Sequence, residues 1–204
     1  MRKQTSLLYS LFQSSEFETI LENINNNYPN LKQELFIRNA ILESINLKKT
    51  TSDSYRAFAE HPRGIKGSRI DLSIVDSDKP SMPFLVELKY QYPYDIITFD
   101  YSKTIERDFV HQKAKEKKTD LFVLFMVLWE PIDKNQFDNY WHIDSNLSRY
   151  QTKRHDKNGR DWEQILLDNF KSINEGVLLP KITHKISKPY SVEYNIYIFE
   201  RLEK

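Results

Sequence analysis

Apolar residues recur at three- and four-residue spacing from residue 6 to residue 24 (Leu7, Leu8, Leu11, Phe12, Ile20, Leu21 and Ile24). That is the period of a helix with one buried face. The run NINNNYPN ends it, and a second helical pattern spans about Leu31 to Leu47, with Leu35, Ile37, Ala40, Ile41, Leu42 and Ile45 apolar. The period then falls to two. SYRAFAEHP, SRIDLSIVD and PFLVELKYQ read as successive strands, with a basic turn (Arg63-Gly64, Lys66-Gly67) between the first two and a Pro-rich turn before the third. Consecutive strands of this kind predict an antiparallel meander. Helical spacing returns from about Ile97 to Lys118. LFVLFMVLW is continuously apolar, as expected of a central strand covered on both faces. Residues 130 to 160 read as an insertion or loop region, DWEQILLDNFKSI as a further helix, and SVEYNIYIF as a late, peripheral strand. No internal repeat is present. The prediction is an α/β protein: a central mixed sheet with an antiparallel meander, flanked by helices. At 204 residues and 24.5 kDa, one domain is the simplest organisation.

The meander also carries the chemistry. Asp71 interrupts the apolar second strand, and Glu87, Lys89 and Gln91 leave one face of the third, because a strand repeats every two residues. Two carboxylates and an ammonium therefore come within reach of one another across a single hairpin. Two carboxylates can hold a hard divalent cation through oxygen, and a nearby lysine can orient a water and stabilise charge building on phosphorus. The bland reading of the same residues is a cross-strand ion-pair cluster on a solvated face, contributing under ~1 kcal/mol per exposed pair. Asp76 and Asp78 fall in the turn, where aspartate is common for local hydrogen-bonding reasons. On the second helix Glu34 is the candidate third acid, with Glu43 and Glu60 as competitors.

Asp71, followed after fifteen residues by Glu87-Leu88-Lys89, resembles the motif of the PD-(D/E)XK nuclease superfamily, which includes many restriction endonucleases and Holliday-junction resolvases. Ile70 stands where the motif usually has proline, a residue that is not a ligand. Gln91 fits an extended form of the motif, and a helix carrying a glutamate, here Glu34, is typical upstream. The resemblance spans roughly residues 31 to 128, leaving 129 to 204 as a C-terminal elaboration of the single domain 1–204. It implies a restriction-endonuclease-like core and a Mg²⁺-dependent DNA endonuclease of the restriction or phage-defence type, with Mn²⁺ as substitute. Asp71, Glu87 and the Leu88 carbonyl would hold the ion, Lys89 would position the attacking water, and Gln91 would steady the site. Cutting both strands of a duplex with one site per chain is most simply done by a symmetric homodimer, although the sequence leaves the oligomeric state open.

Composition narrows the field. With no cysteine, disulfides, thiol nucleophiles and cysteine-ligated metals are excluded, and the five histidines show no paired helical spacing. No apolar run is long enough for a membrane span, and LLYSLF is too short for a secretory signal, so a soluble cytoplasmic protein is expected. The net charge is only +1, but it is unevenly spread. Residues 48 to 69 hold six basic residues against Asp53 and Glu60, and residues 148 to 160 hold five against Asp156. Phosphate contacts are local, so Arg63, Lys66, Arg149, Lys153, Arg154 and Arg160 are the candidate DNA contacts. Lys103, Arg107, His111 and Lys115, at four-residue steps, form either a phosphate-binding stripe or a solvated helix face. Two rival readings belong to other classes. One is a nucleic-acid-binding or protein-interaction module that keeps the fold without cleaving. The other is a glycosidase using Asp71 and Glu87 as its carboxylate pair, in which Lys89 would have no evident purpose.

Overall fold

In the computed structural model, which describes residues 1–47, 54–62, 69–110, 118–143 and 154–202, the first helical pattern divides into α1 (Lys3–Gln13) and α2 (Ser15–Asn27). Ser14 causes the break. Its backbone is extended (φ −78°, ψ 150°), and its hydroxyl accepts a 3.2 Å hydrogen bond from Phe17 N–H, satisfying one of the donors that a helix start leaves without a partner. α3 (Glu34–Leu47) follows with Ile37, Ile41 and Ile45 buried, the stripe that its sequence predicts.

The meander forms as β1 (Tyr55–Pro62), β2 (Arg69–Asp76) and β3 (Phe84–Gln91), all antiparallel. After β3 the chain crosses over through α4 (Pro93–Thr98), α5 (Tyr101–Ile105) and one π-helical turn (Glu106–Val110). It returns as β4 (Leu121–Trp129), every residue of which is buried and which lies parallel to β3. Next come α6 (Pro131–Tyr140), α7 (Trp162–Lys171) and strands β5 (Gly176–Leu178), β6 (Ile182–Ile186) and β7 (Val192–Arg201). The sheet order is β1-β2-β3-β4-β7-β5, with β6 also pairing β7. Among the described residues no helix is long and apolar enough to cross a membrane.

Two readings of the sequence need correction. α6 is a helix where a loop was expected. β7 is not peripheral: it lies between β4 and the β5 and β6 strands. Glu193 and Asn195 gave its first half the alternation of a half-exposed strand. Asn195 is nevertheless buried, bonded to Thr183 and Glu193, and Ile196–Phe199 form an unbroken apolar run of the kind covered on both faces.

Each face of the sheet has its own core. α1, α2 and α3 pack with Leu72, Ile74, Val86, Leu88, Val123 and Ile198. On the other face α5, the π turn and α7 pack with Phe122, Leu124, Met126, Tyr197 and Phe199. An ionic clasp sets the starting ends of β3 and β4 against the end of β7. Arg2 donates to Asp120 (2.7 Å) and to Glu200 (2.9 Å from its backbone N–H), Thr5 donates to Glu200 (2.7 Å), and Asp120 accepts the Leu85 N–H (2.8 Å). Burial raises the Glu200 carboxyl's pKa, but hydrogen bonds from Arg2 and Thr5 outweigh it and hold the group below the ordinary value. A depressed carboxyl stabilises the fold above its unfolded pKa of about 4.3, and that contribution fades as pH falls through the folded value. Glu200→Gln is therefore expected to lower the unfolding free energy by about 1–3 kcal/mol at pH 7, measured by urea titration. The deficit should shrink below about pH 4. An unchanged urea midpoint at pH 7 would contradict this role for the clasp.

Candidate active site

β2 and β3 pair over only three positions, Leu72–Val86, Ser73–Leu85 and Ile74–Phe84. Beyond them the strands part, and β3 loses the ladder partner for its next inward-turned backbone groups. Side chains replace it. Asp71 Oδ2 accepts the Leu88 N–H at 2.9 Å, and Glu34 Oε2, from the first residue of α3, accepts the Tyr90 N–H at 2.8 Å. The parting of the strands thus draws two carboxylates from separate elements into one gap. Across from Asp71 on β1, Glu60 has left-handed backbone (φ 52°), uncommon for a non-glycine residue.

Lys89 fills the gap. Its ammonium donates to Glu87 Oε1 (2.7 Å) and to the Leu88 carbonyl (3.1 Å), and lies 3.8 Å from Asp71 Oδ2 and 3.7 Å from Asp108 Oδ2. Glu87 and Lys89 leave the face of β3 opposite Val86 and Leu88, as alternation predicts, with Phe122 and Leu124 as their neighbours on β4. That apolar flank buries Glu87, which is only 7% exposed. Burial alone would lower the Lys89 pKa, yet Glu87, Asp71 and Asp108 together raise it above the ordinary value. Among these carboxylates the Lys89 ammonium acts as a hydrogen-bond donor. Glu34 is displaced upward, first by burial and then by Asp71, with Lys89 opposing.

Asp108 was missed in the sequence. Over its described residues the helix expected from Ile97 to Lys118 is broken into α4, α5 and the π turn, and the two described members of the basic row take different partners. Lys103 pairs with Asp100 at 3.2 Å, whereas Arg107 turns to Asp108, with Nε 2.6 Å from Oδ1 and an Nη 3.0 Å from Oδ2. The π turn is fixed from outside: Thr119 Oγ1 donates to the Asp108 carbonyl, and Arg201 donates to that of Phe109. A signal was available. Tyr101, Ile105 and Phe109 are buried at four-residue steps, and Asp108 falls at the i+7 position of that stripe, where a charge is out of place.

The remaining candidates separate. Gln91 leaves the same face of β3 as Glu87 and Lys89, but among the described residues no hydrogen bond or ion pair ties it to the cluster. Glu43 is exposed, and Glu60 is held by Arg38 and Arg69, so neither competes with Glu34. Arg63, Lys66, Arg149, Lys153, His111 and Lys115 lie outside the described residues. Arg154 lines a cleft at the end of β4 with Trp129, Glu130 and Lys185. Arg160 is held by Asp156 (3.0 Å) beside the Ile96–Tyr101 segment.

The gap offers a hard cation oxygen alone: the Asp71 and Glu87 carboxylates and a Leu88 carbonyl that β2 does not engage. Among the described residues no group of three or more His, Cys, Asp or Glu side chains is arranged to hold a metal; the Leu88 carbonyl is the further oxygen beside the two carboxylates. Four carboxylates (Glu34, Asp71, Glu87, Asp108) face Lys89 and Arg107, with Lys32 also acting on Glu34, so the group carries more negative than positive charge. The electrostatics can be tested without activity. Lys89→Gln removes the charge that opposes ionisation's cost and should raise the Glu34 pKa further, whereas Asp71→Asn should lower it. Carboxyl ¹³C NMR titration reads both. A Glu34 that titrates alike in all three proteins would place it outside the cluster's reach.

The chain matches no protein-family model. It matches no curated protein and no solved structure, so a functional reading rests on the geometry of this gap.

Proposed function

We propose that this protein is a metal-dependent nuclease that hydrolyses phosphodiester bonds in DNA, built on a restriction-endonuclease-like core. The observation that carries this reading is the convergence of Asp71, Glu87 and the Leu88 carbonyl on the Lys89 ammonium where β2 leaves β3. Asp71, Glu87 and the Leu88 carbonyl would hold Mg²⁺, or Mn²⁺ in its place. Such an ion, when bound, polarises a phosphoryl oxygen and lowers the pKa of a coordinated water. Lys89 donates a hydrogen bond that orients the attacking water and stabilises the charge that builds on the phosphate as the new P–O bond forms and the ester bond breaks. Glu34 fixes the Tyr90 end of β3 and so the direction in which Lys89 projects. Gln91 has the weakest place in this scheme. A homodimer would allow both strands of a duplex to be cut.

The second reading is a nucleic-acid-binding or protein-interaction module that does not cleave, in which Lys89 permanently neutralises the carboxylates. One set of assays separates the two. Plasmid, single-stranded and branched DNA are incubated with Mg²⁺, Mn²⁺, Ca²⁺ or EDTA. Cleavage is expected with Mg²⁺ and Mn²⁺ only, and Ca²⁺ should support binding with little cutting. Asp71→Ala, Glu87→Ala and Lys89→Ala should each lower the rate at least ~10³-fold, about 4 kcal/mol of transition-state stabilisation. Calorimetry should find metal binding lost in the first two and largely kept in Lys89→Ala. Undiminished cleavage in EDTA, or a Lys89→Ala protein cutting at the wild-type rate, would overturn the mechanism.

A further inference from the structure

One cation at the mouth of this gap has no role in the scheme above. The Arg107 side chain is 70% exposed, yet it grips a carboxylate that is 12% exposed. Asp108 Oδ2 lies 3.0 Å from the Arg107 guanidinium and 3.7 Å from the Lys89 ammonium. The two cations are therefore separated by one carboxylate oxygen. A guanidinium has five N–H donors in a planar fork, and the hydrogen bonds to Asp108 engage two of them. The backbone beneath it is a π-helical turn, a feature frequent at functional sites. Thr119 and Arg201 pin that turn through the Asp108 and Phe109 carbonyls, so the guanidinium is carried on a fixed platform. An ordinary surface arginine needs neither the platform nor a buried carboxylate to steady it.

We propose that Arg107 is the phosphate-binding residue of this site, held over Lys89 by Asp108, and that it takes a non-bridging oxygen of the phosphodiester being cut. The inference rests on the nuclease reading. A phosphodiester has two non-bridging oxygens, so one group can accept from the Arg107 N–H donors that Asp108 does not engage and from the Lys89 ammonium together. Charge-assisted hydrogen bonds of this kind strengthen as charge moves onto those oxygens. Arg107 therefore contributes more to the rate than to ground-state affinity. Asp108 is a positioning residue that acts through Arg107.

The test uses the whole chain, a fluorescein-labelled duplex and Mg²⁺. Single-turnover cleavage at saturating DNA is compared with the Kd from anisotropy in Ca²⁺, and thermal melting checks folding. Arg107→Gln should cut about 100-fold more slowly while Kd changes less than about fivefold, the pattern of an interaction gained in the transition state. Arg107→Lys should recover about tenfold of that loss, since a point charge replaces the fork only in part. Asp108→Asn should slow cutting about tenfold, and adding Asp108→Asn to Arg107→Gln should cost little more. Equal cleavage by Arg107→Gln and wild type would overturn the assignment, as would a rate loss matched by an equal loss of affinity. Asp108→Asn slowing the Arg107→Gln protein by a further tenfold would overturn the positioning role. If wild-type protein cuts no DNA substrate with either Mg²⁺ or Mn²⁺, the nuclease reading falls and this assignment with it. A cutting wild type with an indifferent Arg107 removes this assignment alone.

Discussion

The site depends on one constraint: a backbone N–H withdrawn from water needs an acceptor. β2 supplies acceptors to β3 for three residues and then departs. The Leu88 and Tyr90 N–H groups would be stranded if Asp71 and Glu34 did not accept from them. Those two carboxylates are thus tied to β3 by the requirements of folding, and their charge is concentrated as a consequence. Lys89 answers that charge from the same strand, and Glu87, one pleat away, completes the group. The alternation of β3 places apolar residues against the α1–α3 core and charged residues beneath the α5 and π-turn side. A single strand serves as both core and site.

Burial explains why this cluster differs from an exposed ion-pair patch. Exposed pairs contribute little because water and salt screen them. Here Glu87 and Asp108 are buried beside apolar residues of β4 and the π turn, where interactions between charges are stronger and unpaired charges costlier. Glu34 is displaced upward mainly by burial, whereas Lys89 is displaced upward by the carboxylates around it against the effect of burial. Such a group is stable with its ammonium in place and still carries more negative than positive charge, which is the property the proposed cation site relies on.

Asp71, Glu87 and Lys89 were legible because strand alternation has an unambiguous period, and a charge within an apolar run stands out. Glu34 was one of three acids that the sequence left open. Only the parting of β2 from β3, which depends on tertiary register, selects it. Asp108 was overlooked because the helix was read for its basic row, although its place on the buried Tyr101–Ile105–Phe109 stripe marks it as a charge turned inward. β7 was placed at the periphery because Glu193 and Asn195 imitate an exposed face, although Asn195 satisfies its amide inside the sheet. The antiparallel meander and the buried β4 followed directly from their apolar patterns. The parallel pairing of β3 with β4 comes from the crossover between them.

The central claim is that the donors now gathered on Lys89 form a cation site. Paramagnetic Mn²⁺ titrated into the isotope-labelled protein tests it directly by NMR, since broadening falls steeply with distance from the ion. The account expects the Leu88, Lys89 and Tyr90 amide signals to broaden first and at substoichiometric Mn²⁺, and expects that selectivity to vanish in Asp71→Asn. Broadening that is uniform, centred on another part of the chain, or unchanged by Asp71→Asn would contradict it.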